Sequence, residues 1–254
     1  MQENACALRR IFGTAEKPFL LEFRRYRPGD RFQLLFRGKE VSGLMQREAV
    51  TIEYGSLAKD KDSQFQAGSS KPEKGASVPA IFLSSSFRPV MDREPGSVSP
   101  DMVTPAMEDS IRQIALVWGS NRLVLDTGSL DKPFAAMRSC TDEMVKRWGL
   151  DPATQNSLSR RARPAKLASM VRSIQAVYPM SMAVMGKQGR VNFRALVDAQ
   201  GVVTGCETVQ SYNDAAFDAL ACKVIQKTAF EPALDKDGKP TASYYAETVI
   251  YSMN

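Results

Sequence analysis

The chain contains no histidine, and that single absence removes much chemistry. A serine or cysteine nucleophile is usually activated by a general base, most often histidine, so imidazole-based triads are excluded. Imidazole metal ligands go with them, and the four cysteines include no CxxC pair of the kind that frames zinc. No cofactor or metal is expected. No apolar run approaches the ~20 residues that span a bilayer. The opening stretch MQENACALRR has no signal-peptide core either. Lys and Arg outnumber Asp and Glu by 34 to 28, a net charge of +6. They are scattered, however, and form no basic helix or aromatic-spaced basic stripe, so nucleic acid is not an expected partner. A mildly basic, solvated surface accounts for the balance.

What remains is an ordinary globular composition, 254 residues with 43% hydrophobic and 24% charged, long enough for one or two domains with a sizeable core. The densest pattern runs from Tyr178 to Tyr251. In GRVNFRALV, Val191, Phe193, Ala195 and Val197 recur at every second position, which predicts a half-buried strand. Asp198-Ala199-Gln200-Gly201 turns the chain, with Gly201 free to take a positive φ, and Val203 to Val209 returns as the partner strand. A helix is expected to start near Ser211-Tyr212-Asn213-Asp214, where short polar side chains cap free N–H groups. Its apolar face is Phe217, Leu220, Ala221, Val224 and Ile225. After the turn Asp237-Gly238-Lys239-Pro240, a closing strand is expected over Ser243 to Tyr251.

This β–β–α–β order carries a resemblance. Tyr178-Pro179, Gly189-x-Val191, Asp198-x-x-Gly201-x-Val203, Phe217-Asp218-x-x-Ala221, Phe230-x-Pro232-Ala233 and Asp237-Gly238-x-Pro240 together resemble the C-terminal domain of TonB-family energy transducers. The resemblance implies a periplasmic module that engages an extended peptide of an outer-membrane receptor by strand addition, in the service of energy-coupled transport. The accepting strand would be Ser243 to Tyr251, with Ser243, Tyr244, Tyr245 and Tyr251 as contact residues. The alternative is that these tyrosines merely cover the sheet. Tyr178, Pro179, Gly189, Val191, Gly201, Phe230 and Pro232 are expected to define the fold rather than touch a partner. This chain has Ser211-Tyr212 where the family often shows Ser-Gly. In place of a membrane anchor and Pro-rich spacer it has a folded upstream region, so partner binding is expected rather than force transmission. A second reading is an envelope protein in which the same fold serves a structural or dimerisation role.

The cysteines bear on compartment. Four is an even count compatible with two disulfides, and such bonds persist in oxidising compartments such as the periplasm. Cys206 lies on the second strand of the TonB-like unit and Cys222 on the following helix, where a bond would tie the two together. Cys6 and Cys140 remain, one at the start and one on the last helix of the upstream region. Four buried free thiols are the competing reading. The even count favours a periplasmic chain whose export signal or anchor precedes Met1 over a cytosolic one.

Upstream, Phe19, Leu21 and Phe23, the turn Arg27-Pro28-Gly29-Asp30, and Phe32, Leu34 and Phe36 predict a hairpin. Val50, Ile52 and Tyr54 predict a third strand and Ala80 to Phe87 another. The polar stretch from Leu57 to Ser77 is expected as a loop, as is MDREPGSVSPDMVTP. Ile114 to Trp118 and Arg122 to Asp126 predict a second hairpin. A helix should begin at Asp131, with Pro133 in its first turn and Gly149 at its end, burying Phe134, Met137, Thr141, Met144, Val145 and Trp148. The segment MRSCTDEMVKRWGLD resembles regions that accompany TonB-like tails in some periplasmic proteins. Asp151 to Pro164 is polar, basic and broken by proline, and is expected as a linker. Leu167, Met170, Val171, Ile174 and Val177 predict a lead-in helix packed on the C-terminal unit. The expected class is α+β: a β-rich N-terminal domain closed by one helix (1–150), a linker (151–164), and a TonB C-terminal-like domain with helices on a small antiparallel sheet (165–254).

Two motifs suggest other chemistry. Leu123-Val124-Leu125-Asp126-Thr127-Gly128-Ser129 spells an aspartic-protease signature, in which two carboxylates share a proton. No second DTG or DSG occurs, and a strand-ending turn at Asp126 is the plainer reading. Met180, Met182 and Met185 have a spacing seen in Cu(I)-binding clusters, but methionine more often fills a core.

Overall fold

The computed structural model describes residues 4–70, 77–87, 103–178, 184, 189–212 and 218–251. It is strand-rich and mixed α/β, with several small antiparallel sheets and few helices. In chain order the strands are β1 Cys6–Gly13, β2 Pro18–Arg25, β3 Phe32–Arg37, β4 Ala49–Tyr54, β5 Ala58–Gln64, β6 Gln66–Ser70, β7 Val78–Ser85, β8 Gln113–Trp118, β9 Asn121–Asp126, β10 Arg163–Pro164, β11 Gly189–Val197, β12 Val203–Tyr212, β13 Phe230–Glu231, β14 Ala233–Leu234, β15 Pro240–Thr241 and β16 Ser243–Tyr251. The helices are α1 Pro105–Ser110, α2 Asp131–Arg147, α3 Pro152–Asn156, α4 Leu167–Ala176 and α5 Asp218–Ile225. The chain divides into two compact units, one from Ala5–Asp92 with Ser99–Thr141, the other from Asp142–Asn254.

In the N-terminal unit one sheet has the order β1-β2-β3-β7-β6 and a second β5-β4-β8-β9. The alternation of Phe19, Leu21 and Phe23 against Phe32, Leu34 and Phe36 puts every one of these side chains in the core. Edge-to-face contacts bind the rings: Phe23 meets Phe134 of α2 at 5.2 Å between centroids, and Tyr54 meets Phe87 at 5.1 Å. Such contacts contribute about 0.5–1.5 kcal/mol each beyond the area they bury. Tyr54 is fully buried, and its hydroxyl shares a hydrogen bond with Ser85, which donates to Asp60 at 2.8 Å. Burial pushes the Tyr54 phenol well above its ordinary pKa, so it stays neutral. A disulfide joins Cys6 of β1 to Cys140 of α2.

The stretch from Leu57 to Ser77, expected as a loop, instead contains β5 and β6, which pair with β4 and β7 respectively. These strands carry charged and small residues on outer edges and show no apolar alternation, so periodicity gave no sign of them. The connection MDREPGSVSPDMVTP lies largely outside the described residues.

In the C-terminal unit β11 is the centre of the order β12-β11-β16. Val191, Phe193, Ala195 and Val197 form one fully buried face and pack with Met170 and Ile174 of α4 and Ala221 and Ile225 of α5. The opposite face, through Leu196, Tyr244 and Ala246, packs with Val145, Trp148 and Leu150. A second disulfide ties Cys206 of β12 to Cys222 of α5. Residues 151–164 are not a free linker. Asp151 caps α3 by accepting from the Thr154 N–H at 2.8 Å, Gln155, Leu158 and Ala162 are buried, and the Ser159 N–H donates to the Leu234 carbonyl at 3.0 Å. With Pro164, the polar composition conceals four interior positions.

Half of the expected helix cap is strand instead. Ser211 and Tyr212 belong to β12, opposite Val191 and Arg190, and the helix is described from Asp218. Asn213, Asp214 and Phe217 lie outside the described residues. Among the described residues no helix is long and apolar enough to cross a membrane.

Candidate strand-accepting edge

Two strands end the C-terminal sheet, and they differ. β16 pairs with β11 over nine consecutive residues, Gly189↔Tyr251 to Val197↔Ser243, without a register shift. β12 pairs with β11 with shifts between Asn192 and Phe193 and between Leu196 and Val197, which leave Val209 and Thr204 as extra residues on β12. Bulges of this kind bend a strand and spoil its outer edge as a template. The regular strand is β16, and among the described residues its one strand neighbour is β11. It carries a single formal charge, Glu247, in SYYAETVIY.

The four residues expected to contact a partner are placed differently from one another. Ser243 is buried and donates to Gln155 Oε1 at 2.6 Å, while Gln155 Nε2 donates to the Ala242 carbonyl at 2.9 Å. This exchange anchors the start of the strand. Tyr244 is buried as well, edge-on to Trp148 at 5.1 Å, and its hydroxyl accepts from Arg161 at 3.2 Å. Both side chains therefore serve the interior, as strand alternation between two covered faces requires. Tyr245 points to the other face, 5.2 Å from Phe230 and 5.9 Å from Phe193, and is only half-buried. Tyr251 supplies backbone pairing to Gly189.

Beside β16 runs a groove of about 360 Å³, lined from α4 by Leu167, Met170, Val171, Ile174 and Gln175 and from the sheet by Phe193, Tyr245, Glu247, Thr248 and Val249. The lead-in helix divides its apolar stripe. Met170 and Ile174 are buried, whereas Leu167 and Val171 are each 46% exposed and face this groove. The apolar stripe was legible in the sequence, but not that its i and i+4 members would stay outside the core.

The face of β11 opposite the groove is polar under its cover. Arg194 stacks over the Trp148 ring at 4.3 Å and forms an ion pair with Glu207. Burial lowers the Arg194 pKa, and Glu207 opposes the shift. Asn192 accepts from the Thr248 hydroxyl at 2.6 Å, which fixes the outer strand against the central one.

The residues expected to define the fold sit, where described, at turns and core positions. Gly201 has φ +82°, and a Cβ there would stand 2.1 Å from the Phe230 carbonyl oxygen, so only glycine fits. Its turn is held by Asp198, which accepts from the N–H groups of Gln200 and Val202 at 2.9 and 2.8 Å. Phe230 and Val191 are buried, Pro232 accepts from Arg160 at 2.9 Å, and Tyr178 packs against the same core. Gly189 opens β11. Pro179, Met180, Met182 and Met185 lie outside the described residues.

Asp126 has the geometry of a turn. It is exposed at the end of β9 and accepts from the Gly128 N–H at 3.2 Å, with Gly128 at φ +62°. A protease dyad shelters two carboxylates around one proton; an exposed carboxylate closing a turn does not match it. Among the described residues no group of side chains is suited to hold a metal ion.

Residues 174–253 match the family described as Gram-negative bacterial TonB protein C-terminal. No curated protein matches the chain.

Proposed function

From a chain whose residues 174–253 are a TonB-family C-terminal domain, we propose a periplasmic envelope protein that binds a partner by adding its extended segment to β16. The partner is a peptide of the outer-membrane-receptor type, and the family's role makes energy-coupled transport the setting. The observation that carries this reading is the regular, nearly uncharged end strand β16. An end strand offers a row of backbone N–H and C=O groups to another chain, and strand addition draws affinity from main-chain hydrogen bonds and specificity from side-chain pockets. The domain arrangement belongs to the same proposal: a β-rich N-terminal domain closed by α2, followed by the binding domain. The binding role is non-enzymatic.

The test is a titration of isotope-labelled protein with peptides from outer-membrane receptor N-termini. Amide shifts concentrated in Ser243–Tyr251 are expected. Silence there across a broad peptide set overturns the reading. A second reading draws on the same strand, because a regular end strand also accepts another copy of itself across a two-fold axis. Concentration-dependent sedimentation with shifts in the same residues, in the absence of any peptide, would favour that dimer.

A further inference from the structure

We propose that α4 is the specificity wall of this edge, selecting a guest strand with aliphatic side chains at alternate positions. The inference rests on strand addition at β16 and adds which residues choose the guest. Leu167 and Val171 are each 46% exposed on a helix whose Met170 and Ile174 are buried at 6% and 3%. The helix therefore has an inner apolar face that holds it to the core and a second apolar row that the core does not use.

That row lines the groove, and the groove continues onto Tyr245, Thr248 and Val249 of β16. Its two walls have matching length. From Leu167 to Gln175 the helix rises about 12 Å at 1.5 Å per residue, and from Tyr245 to Val249 the strand advances about 13 Å at 3.3 Å per residue. Leu167, Val171 and Gln175 repeat every four residues, about 6 Å, close to the ~6.6 Å between same-face side chains of a strand. A guest strand beside β16 would thus set alternate side chains against successive turns of α4. The five α4 residues in the groove carry no charge, and the one charged lining residue, Glu247 of β16, is acidic, so an acidic guest side chain would be desolvated without a partner, whereas an aliphatic one gains by burial. Of the α4 residues in the groove, Leu167, Met170 and Val171 lie ahead of residues 174–253 and Ile174 and Gln175 lie within them.

The test measures fluorescence anisotropy of labelled octapeptides with the full chain. The parent is Lys-Thr-Val-Thr-Val-Thr-Val-Lys, the second replaces its valines by glutamate, and two more are N-methylated at either the threonine or the valine amides. The expected result is at least tenfold tighter binding of the parent than of the glutamate peptide, with one N-methylated peptide failing. The double variant Leu167→Lys, Val171→Lys should reverse the preference in favour of the glutamate peptide, a gain that a misfolded protein cannot give. An unchanged preference in that variant, with one N-methylated peptide still failing, overturns the wall and leaves strand addition standing. Equal binding by the parent and both N-methylated peptides, or no binding by any peptide, overturns strand addition and the wall with it.

Discussion

The two units treat their sheet edges in opposite ways. In the N-terminal unit the end strands carry features that discourage pairing. β5 reads AKDKDSQ, with a register shift opposite β4 and Asp62 at φ +50°, β1 carries Arg9 and Arg10, and β6 is five residues long with Gly68 inside it. Charge, irregularity and shortness are the usual means by which a sheet avoids recruiting foreign strands. In the C-terminal unit β12 is bulged, but β16 is regular, nine residues long and nearly uncharged. β1 and β9, which also end sheets, pair without a register shift too, but β9 is six residues long and carries Arg122 and Asp126; a long, regular and nearly uncharged end strand such as β16 is most simply read as an edge in use. The interiors differ as well. Large rings, Phe23, Phe32, Tyr54, Phe87 and Phe134, fill the first unit, whereas aliphatic side chains from α4, α5, β11, β14 and β16 fill much of the second.

The sharpest way to separate the units is through their disulfides, which close loops of very different length. The Cys6–Cys140 bond spans 134 residues and Cys206–Cys222 spans 16. In the chain-entropy account a loop of ~100 residues contributes about 4.7 kcal/mol and one of ~15 about 3 kcal/mol. Replacing Cys6 and Cys140 by serine should therefore lower stability more than replacing Cys206 and Cys222, as measured by urea unfolding. Equal losses would mean that the two bonds do not act through the unfolded chain. A smaller effect is expected within the C-terminal unit. Gly201→Ala forces a side chain into a left-handed position, a strain of about 1–3 kcal/mol, before the approach to Phe230 is counted. A melt unchanged from wild type would show that the turn can rearrange. The smallest is Tyr244→Phe, which removes the hydrogen bond from Arg161 and leaves the contact with Trp148. A loss of about 0.5–1.5 kcal/mol is expected, with peptide binding unaltered. Weaker peptide binding at unchanged stability would restore Tyr244 as a contact residue.

The comparison also explains what the sequence revealed and what it hid. The alternation through Val191, Phe193, Ala195 and Val197 was readable because one face of β11 is wholly apolar and buried. Helix α2 was readable for the same reason, with Phe134, Met137, Met144 and Val145 at helical spacing and Gly149 at φ +77° beyond its end. β5 and β6 were not, since edge strands made of Lys, Asp, Gln and Ser give periodicity nothing to detect. Nor was the region 151–164, where interior contacts come from Gln155, Leu158 and Ala162 scattered among polar neighbours. For the binding edge, the strand was visible but not its condition. That β12 would be bulged and β16 regular depends on registers that no local pattern encodes, and the inward turn of Ser243 and Tyr244 depends on a second layer covering the sheet.

The central claim is that β16, and not β12, accepts the guest. Amide hydrogen exchange followed residue by residue in the full chain, with and without a bound receptor-type peptide, tests it most directly. Slowed exchange at alternate amides of Ser243–Tyr251, with Val203–Val209 unchanged, is the predicted result. Slowed exchange along β12 instead, or a bound peptide that leaves both strands as they were, would contradict it.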